Sequence, residues 1–208
     1  VPSDISSAAF FLVAASIVPG SDLILSHVGI NPTRVGILEI LKHMGADIEV
    51  LNAREVGGEP VADLRVRYAP LKGIDVPEAL VPLAIDEFPV LFVAACCASG
   101  ETRVTGAEEL RVKESDRIQS MVDGLKALGV SIEGTPDGAV IQGGGSEFRF
   151  GSGTVEAHED HRIAMAFSVA GLLSDGGVIV NDCANVATSF PNFVGLARET
   201  GFPLTVSS

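Results

Sequence analysis

The chain has no tryptophan and one tyrosine, so its interior has to be built from aliphatic side chains with some phenylalanine. Cations are also scarce: 14 Lys and Arg face 27 Asp and Glu, for a formal net charge of -13. That balance argues against a nucleic-acid or anionic-membrane partner. A small anionic substrate would need a local cluster of cations working against the overall field, so the places where those few cations gather are informative. Cysteine is limited to Cys96, Cys97 and Cys183, and none stands at metal-ligand spacing. Small buried thiols in a reducing compartment, the cytoplasm, are the expectation. No apolar run reaches the roughly 18 residues that a membrane span needs. An initiator methionine is missing too. The chain opens Val1-Pro2-Ser3-Asp4 without the layout of a signal peptide, and is expected to be a piece of a longer protein.

What is present is a threefold repeat. Segments opening at Asp4, Asp86 and Asp160 each lead into an apolar run and reach a glycine 41, 43 and 41 positions later, at Gly45, Gly129 and Gly201. In each unit an apolar helix is followed by a β-rich stretch (22–26, 102–105 and 177–181). A second, amphipathic helix ends at the glycine, the usual C′ residue, and a short strand follows at 47–50, 130–133 and 203–206. Alternation through Ala62-Asp63-Leu64-Arg65-Val66-Arg67-Tyr68 adds a further strand. The first helices (8–18, 88–98 and 163–173) carry no polar face and should be buried. The second helix of the middle unit sets Ile118, Met121, Val122, Leu125 and Leu128 on one stripe. Three central helices with sheets outside them is the natural packing; a doubly wound parallel sheet is the alternative. Strands that alternate favour sheets with one solvated face, and so the first arrangement.

Reactive side chains cluster at helix starts. Arg111-Val112-Lys113-Glu114-Ser115-Asp116-Arg117 holds three cations and two carboxylates before an amphipathic helix. Lys113 and Arg117, four apart, and Glu114 and Arg117, three apart, can share a face. A helix N-terminus with added cations suits an anion, although a solvated surface run would look the same. His158-Glu159-Asp160-His161-Arg162 precedes the third apolar helix. Its histidines lack the i,i+4 spacing of a helical metal pair, and no metal is expected. Arg162, at the mouth of a buried helix, must pair with a carboxylate or await an anionic ligand. Asp86 reads locally as an N-cap, and because Asp4 and Asp160 head the equivalent helices, capping is the expected reason that each repeat opens on an acid.

At Asp4-Ile5-Ser6-Ser7-Ala8-Ala9, Asp86-Glu87-Phe88-Pro89, Arg111 to Arg117, Glu159-Asp160-His161-Arg162 and Thr188-Ser189-Phe190-Pro191 the sequence resembles the enolpyruvyl transferase family. The resemblance spans nearly the whole chain. It implies an α/β (α+β) fold, an inside-out α/β barrel of three βαβαββ-type repeats. Residues 1–208 would form a single domain, the C-terminal half of a two-domain enzyme, with repeats at approximately 1–70, 71–150 and 151–208. The N-terminal domain, with its Ser-Ser-Gln segment and catalytic Lys, has no counterpart here and is the expected partner. The implied reaction moves the enolpyruvyl group of phosphoenolpyruvate onto the 5-hydroxyl of shikimate 3-phosphate, with no cofactor. By the same resemblance Asp86 and Glu114 are catalytic, and Asp86 and Lys113 bind shikimate 3-phosphate. Arg117, Arg162 and His161 hold phosphoenolpyruvate. Thr188 stands where many members carry Lys, and Glu109 where some carry Asn. A transferase acting on UDP-N-acetylglucosamine shares the architecture but lacks the Arg111 to Arg117 pattern. A non-catalytic structural module is the alternative of another class.

Overall fold

The computed structural model describes residues 3–207, so the opening Val1-Pro2 lies outside the described residues. In chain order the elements are α1 (Ile5–Ile17), β1 (Asp22–Gly29), α2 (Gly36–His43), β2 (Asp47–Val56) and β3 (Glu59–Arg67). Then come α3 (Phe88–Cys96), β4 (Ser99–Val104), α4 (Arg117–Ala127), β5 (Ser131–Thr135) and β6 (Gly138–Gly144). The last are β7 (Gly153–Glu156), α5 (His161–Ala170), β8 (Val178–Asn181), α6 (Val186–Ser189) and α7 (Phe193–Glu199). Short 3-10 turns at Pro82–Glu87 and Glu108–Val112 lie between them.

The apolar helices go inside, as their sequences require. Every residue of α3 is buried, and of α1 only Ser7 is not. α1, α3 and α5 contact one another along the centre of the molecule. A helix with no polar side loses least by being surrounded. The sheets lie outside. The first has order β1-β3-β2 and the second β4-β6-β5, both antiparallel, while β7 and β8 pair in parallel. In β3 Leu64 and Val66 are fully buried while Arg65 and Arg67 between them reach solvent, the one-sided burial that alternation implies. The doubly wound alternative is excluded by these separate, largely antiparallel sheets.

Gly45, Gly129 and Gly201 adopt φ of +91°, +86° and +99° directly after α2, α4 and α7. There the next amide closes the helix: Ala46 N–H donates to Leu41 O at 2.9 Å and Val130 N–H to Leu125 O at 3.0 Å. A Cβ at that φ would be strained, which accounts for the repeated glycine.

Two expectations change. The strand at 203–206 does not form; the segment is irregular after Phe202, which packs on Phe11 at 5.9 Å between centroids. Its equivalents β2 and β5 pair with the hairpin partners β3 and β6, and among the described residues no such partner follows here. Without one the backbone groups have no ladder to join. The third apolar helix ends at Ala170, and residues 171–173 tighten into a 3-10 turn.

Candidate active site

The starts of α3, α4 and α5 meet at one end of the central helices, and the charged segments meet there with them. Local chemistry sets each start. Asp116 caps α4 by accepting from Gln119 N–H at 3.0 Å, and Asp160 caps α5 by accepting from Arg162 N–H at 3.1 Å. The loop before Asp160 is constrained: His158 and Glu159 hold φ of +52° and +57°, and the Asn185 side-chain amide binds the Glu159 carbonyl. Two consecutive non-glycine residues in the left-handed region are costly, and such outliers gather at functional sites.

Arg117 is the hub. It is 1% exposed, and its guanidinium reaches three carboxylates. Nε donates to Asp160 at 2.9 Å, Nη1 to Asp86 at 3.2 Å and Nη2 to Glu114 at 2.6 Å. Ser115 also donates to Asp160, at 2.8 Å. Burial raises the carboxyl pKa of Asp160, itself fully buried, but its bonds to Arg117 and Ser115 outweigh that and hold it below the usual range. Lys113 Nζ lies 2.6 Å from Glu109 and 3.4 Å from Asp86. Its pKa is raised, chiefly by the Glu109 bond.

Asp86 therefore sits between Lys113 and Arg117. Burial pushes its pKa up, but Arg162, Lys113 and Arg117 together pull it below the ordinary value, so it is ionised at neutral pH. The N-cap reading of Asp86 is corrected: the residue lies within the 3-10 turn, and Glu87 occupies the cap position of α3 without making a capping bond. The cap reading holds for Asp160, while Asp4 makes no side-chain cap and pairs with Arg34 at 3.4 Å.

Arg162 differs from Arg117. Among the described residues no carboxylate comes within ion-pair distance of its guanidinium, although it is only partly exposed. His161 beside it has a lowered pKa, first from burial and then from the Arg162 charge, so its ring is neutral near pH 7. Arg111 leaves the cluster: it donates to Pro136 O at 2.9 Å and to Asp116 at 2.9 Å, docking on the turn between β5 and β6. Thr188 lies exposed on α6.

Five of the six residues singled out from sequence thus form one charged cluster at the helix heads: Asp86, Lys113, Glu114, Arg117 and Arg162. His161 adjoins it on α5. Three participants were missed or undervalued. Asp160, read only as a cap, is the buried counter-ion of Arg117. Ser115 sets that pair. Glu87, 5% exposed, accepts from Ser6 at 3.3 Å and has its pKa raised to about 7, first by burial. The acid heading each repeat was the one available signal for Asp160. Glu87 stood out only as the neighbour of Asp86 in the Asp86-Glu87-Phe88-Pro89 segment, with no role of its own.

Residues 1–196 match the family model of EPSP synthase (3-phosphoshikimate 1-carboxyvinyltransferase). The chain is 65% identical over 207 residues to the 3-phosphoshikimate 1-carboxyvinyltransferase of Methylococcus capsulatus, covering 100% of this chain and 46% of that protein. It is 62% identical over 208 residues to the protein of the same name from Acidithiobacillus ferrooxidans, covering 47% of it. It spans about half the length of these relatives. A solved EPSP synthase from Acinetobacter baumannii superposes with a TM-score of 0.97 at 55% identity, over 100% of this chain and 48% of that one. The enolpyruvyl transferase NikO from Streptomyces tendae, at 18% identity and TM-score 0.75 over 97% of this chain and 43% of its own, shares the fold. The match covers nearly the whole chain, and the chain belongs to the EPSP synthase family.

Proposed function

We propose that this chain supplies one face of the active site of a 3-phosphoshikimate 1-carboxyvinyltransferase and is the C-terminal half of that enzyme, with repeats at approximately 1–70, 71–150 and 151–208. The reaction is transfer of the enolpyruvyl group of phosphoenolpyruvate to the 5-hydroxyl of shikimate 3-phosphate, with release of phosphate. One observation supports this reading most: Asp86 is held ionised between Lys113 and Arg117 while Arg162, beside them, has no carboxylate partner among the described residues. That is an anion seat next to a base.

Asp86 takes the proton of the 5-hydroxyl as that oxygen attacks C2 of phosphoenolpyruvate, and Glu114 relays a proton from solvent to the methylene carbon. The tetrahedral adduct then collapses. Glu114 takes a methyl proton back, the carbon–oxygen bond to phosphate breaks, and phosphate leaves with the proton that Asp86 held. Lys113 orients the shikimate side together with Asp86. Arg162 holds phosphoenolpyruvate with Arg117, as a forked guanidinium suits carboxylate and phosphate, and neutral His161 lines the same seat. For Arg117 to take the substrate carboxylate, Nη2 must release Glu114, bound at 2.6 Å. Substrate entry thereby frees the acid for its task.

The charge count supports a divided site. Lys113, Arg117 and Arg162 face the carboxylates of Asp86, Glu87, Glu109, Glu114 and Asp160, so this half has no surplus of positive charge for two polyanionic substrates. The N-terminal half supplies the rest, and closure of the two assembles the site. Three free thiols, Cys96, Cys97 and Cys183, fit the cytoplasm as the compartment. The test is a complementation assay: this chain with both substrates, alone and after adding the N-terminal half. Phosphate release only with both halves is the expected result. Turnover by this chain alone overturns the divided site, and none from the joined halves overturns the activity.

A further inference from the structure

The mechanism above leaves one buried acid without a task. Glu87 adjoins Asp86 in sequence, is 5% exposed, and accepts a single described hydrogen bond, from Ser6 Oγ at 3.3 Å. Ser6 in turn accepts from Arg34 Nη2 at 3.0 Å, so α1 and the turn before α2 both reach it. The charges facing Glu87 are Asp86 on its own turn, Arg34 before α2 and Arg162 on α5. α2 turns Glu39, Lys42 and His43 to solvent, and α1 offers only Ser6. The Arg162 charge is therefore shared: it acts on both Asp86 and Glu87, and among the described residues it forms an ion pair with neither.

We propose that Glu87 is a positioning residue for the anion seat, taking up a proton from solvent when an anion binds Arg162 and returning it when the anion leaves. The proposal rests on the anion role given to Arg162 above. In the empty site the ionised carboxylate is tolerated because Arg162 and Arg34 oppose its charge. An anion on Arg162 cancels that field and brings a second negative charge near a desolvated group, and the buried carboxylate then does best by becoming neutral. Asp86 cannot take this proton, since Lys113 and Arg117 contact it directly and keep it charged. The two adjacent carboxyls are thus driven apart, one kept ionised for catalysis and one poised to titrate. Burial, opposed by Arg162, brings Glu87 to about 7, which leaves it about half ionised near neutral pH.

The experiment uses the full-length enzyme. Phosphoenolpyruvate is titrated into wild type and Glu87→Gln by calorimetry at pH 7, in two buffers of different ionisation enthalpy. The glutamine keeps an acceptor for Ser6. Wild type should take up more protons per ligand than the variant, by as much as about half a proton, from a group with pKa about 7. The ligand's own phosphate titrates in the same window, but equally in both proteins, so the difference is the signal. Equal uptake by the two proteins sinks the proposal for Glu87 and leaves the anion seat standing. No binding by either sinks both. A second measurement needs no substitution: carboxyl carbon resonances of wild type labelled at glutamate. One glutamate should titrate near pH 7 in the free enzyme and move to higher pH with phosphoenolpyruvate present. If no glutamate does so, the proposal fails.

Discussion

On the solvent face of the first sheet, Arg65 grips Asp22 through two N–H groups at 2.9 and 2.7 Å, and Arg67 binds Asp47 at 3.0 Å while reaching Glu49 at 3.1 Å. At the helix heads Arg117 makes bonds of similar length to Asp160, Asp86 and Glu114. The pairs look alike in distance and differ in burial. Arg65 and Arg67 are each 35% exposed and their partners more so, whereas Arg117 is 1% exposed and Asp160 not at all. Exposed pairs trade a protein contact for hydration of nearly equal worth. Buried ones have no such exchange, and each member holds the other in place. The comparison teaches that an ion pair's position, more than its geometry, decides whether it can organise chemistry.

Substitutions can break that comparison in graded steps. Arg117→Met leaves the buried Asp160 carboxylate without a counter-ion and should cost about 3–5 kcal/mol, read as a fall in the denaturant midpoint. A cost under about 1 kcal/mol would make the two regions equivalent. Next comes Arg162→Gln, which removes no ion pair among the described residues and should leave stability nearly unchanged. In the full-length enzyme it should lower kcat/KM for phosphoenolpyruvate by about 2–5 kcal/mol of binding, roughly 30-fold to several-thousand-fold. Unchanged kinetics would mean that the unpaired guanidinium is not the anion seat.

Glu87 supplies a third step, with a pH signature. Its folded pKa of about 7 stands above the ordinary 4.5, so below pH 4.5 the carboxyl is protonated in both states and contributes nothing. Between 4.5 and about 7 the unfolded chain loses the proton while the folded chain keeps it, and stability falls as pH rises. Glu87→Gln should therefore leave stability unaltered near pH 4 and raise it above pH 7, by at most about 3 kcal/mol. A constant difference across pH would show that the carboxyl does not titrate there. The smallest effect is expected for Arg65→Ala, about 0.2–1 kcal/mol by thermal melting and reduced further by salt.

Much of this was legible in advance where the signal is local. Unbroken apolar runs placed α1, α3 and α5 inside, because a helix with no polar side has only one stable environment. Glycines at 45, 129 and 201 marked helix exits, because only that residue adopts the required φ at little cost. The Arg111 to Arg117 run pointed at the site, but its members separated on folding: Arg111 turned to the β5–β6 turn and Lys113 and Arg117 turned inward. The strand at 203–206 was misread because a strand is a paired object, and its sequence carries no record of whether a partner stands beside it.

The sequence by itself determined the threefold repeat, the inside-out order of helices and sheets, and the residue types gathered at the helix starts. These follow from periodicity and from the backbone limits of single residues, which act over a few positions. Only the tertiary structure decided which charges are paired. Arg117 and Asp160 are 43 positions apart and Ser6 and Glu87 81 apart, so no spacing rule joins them. Burial then set their consequences. Desolvation depends on what surrounds a group from every side, and that is known only once the three repeats have closed around their helices.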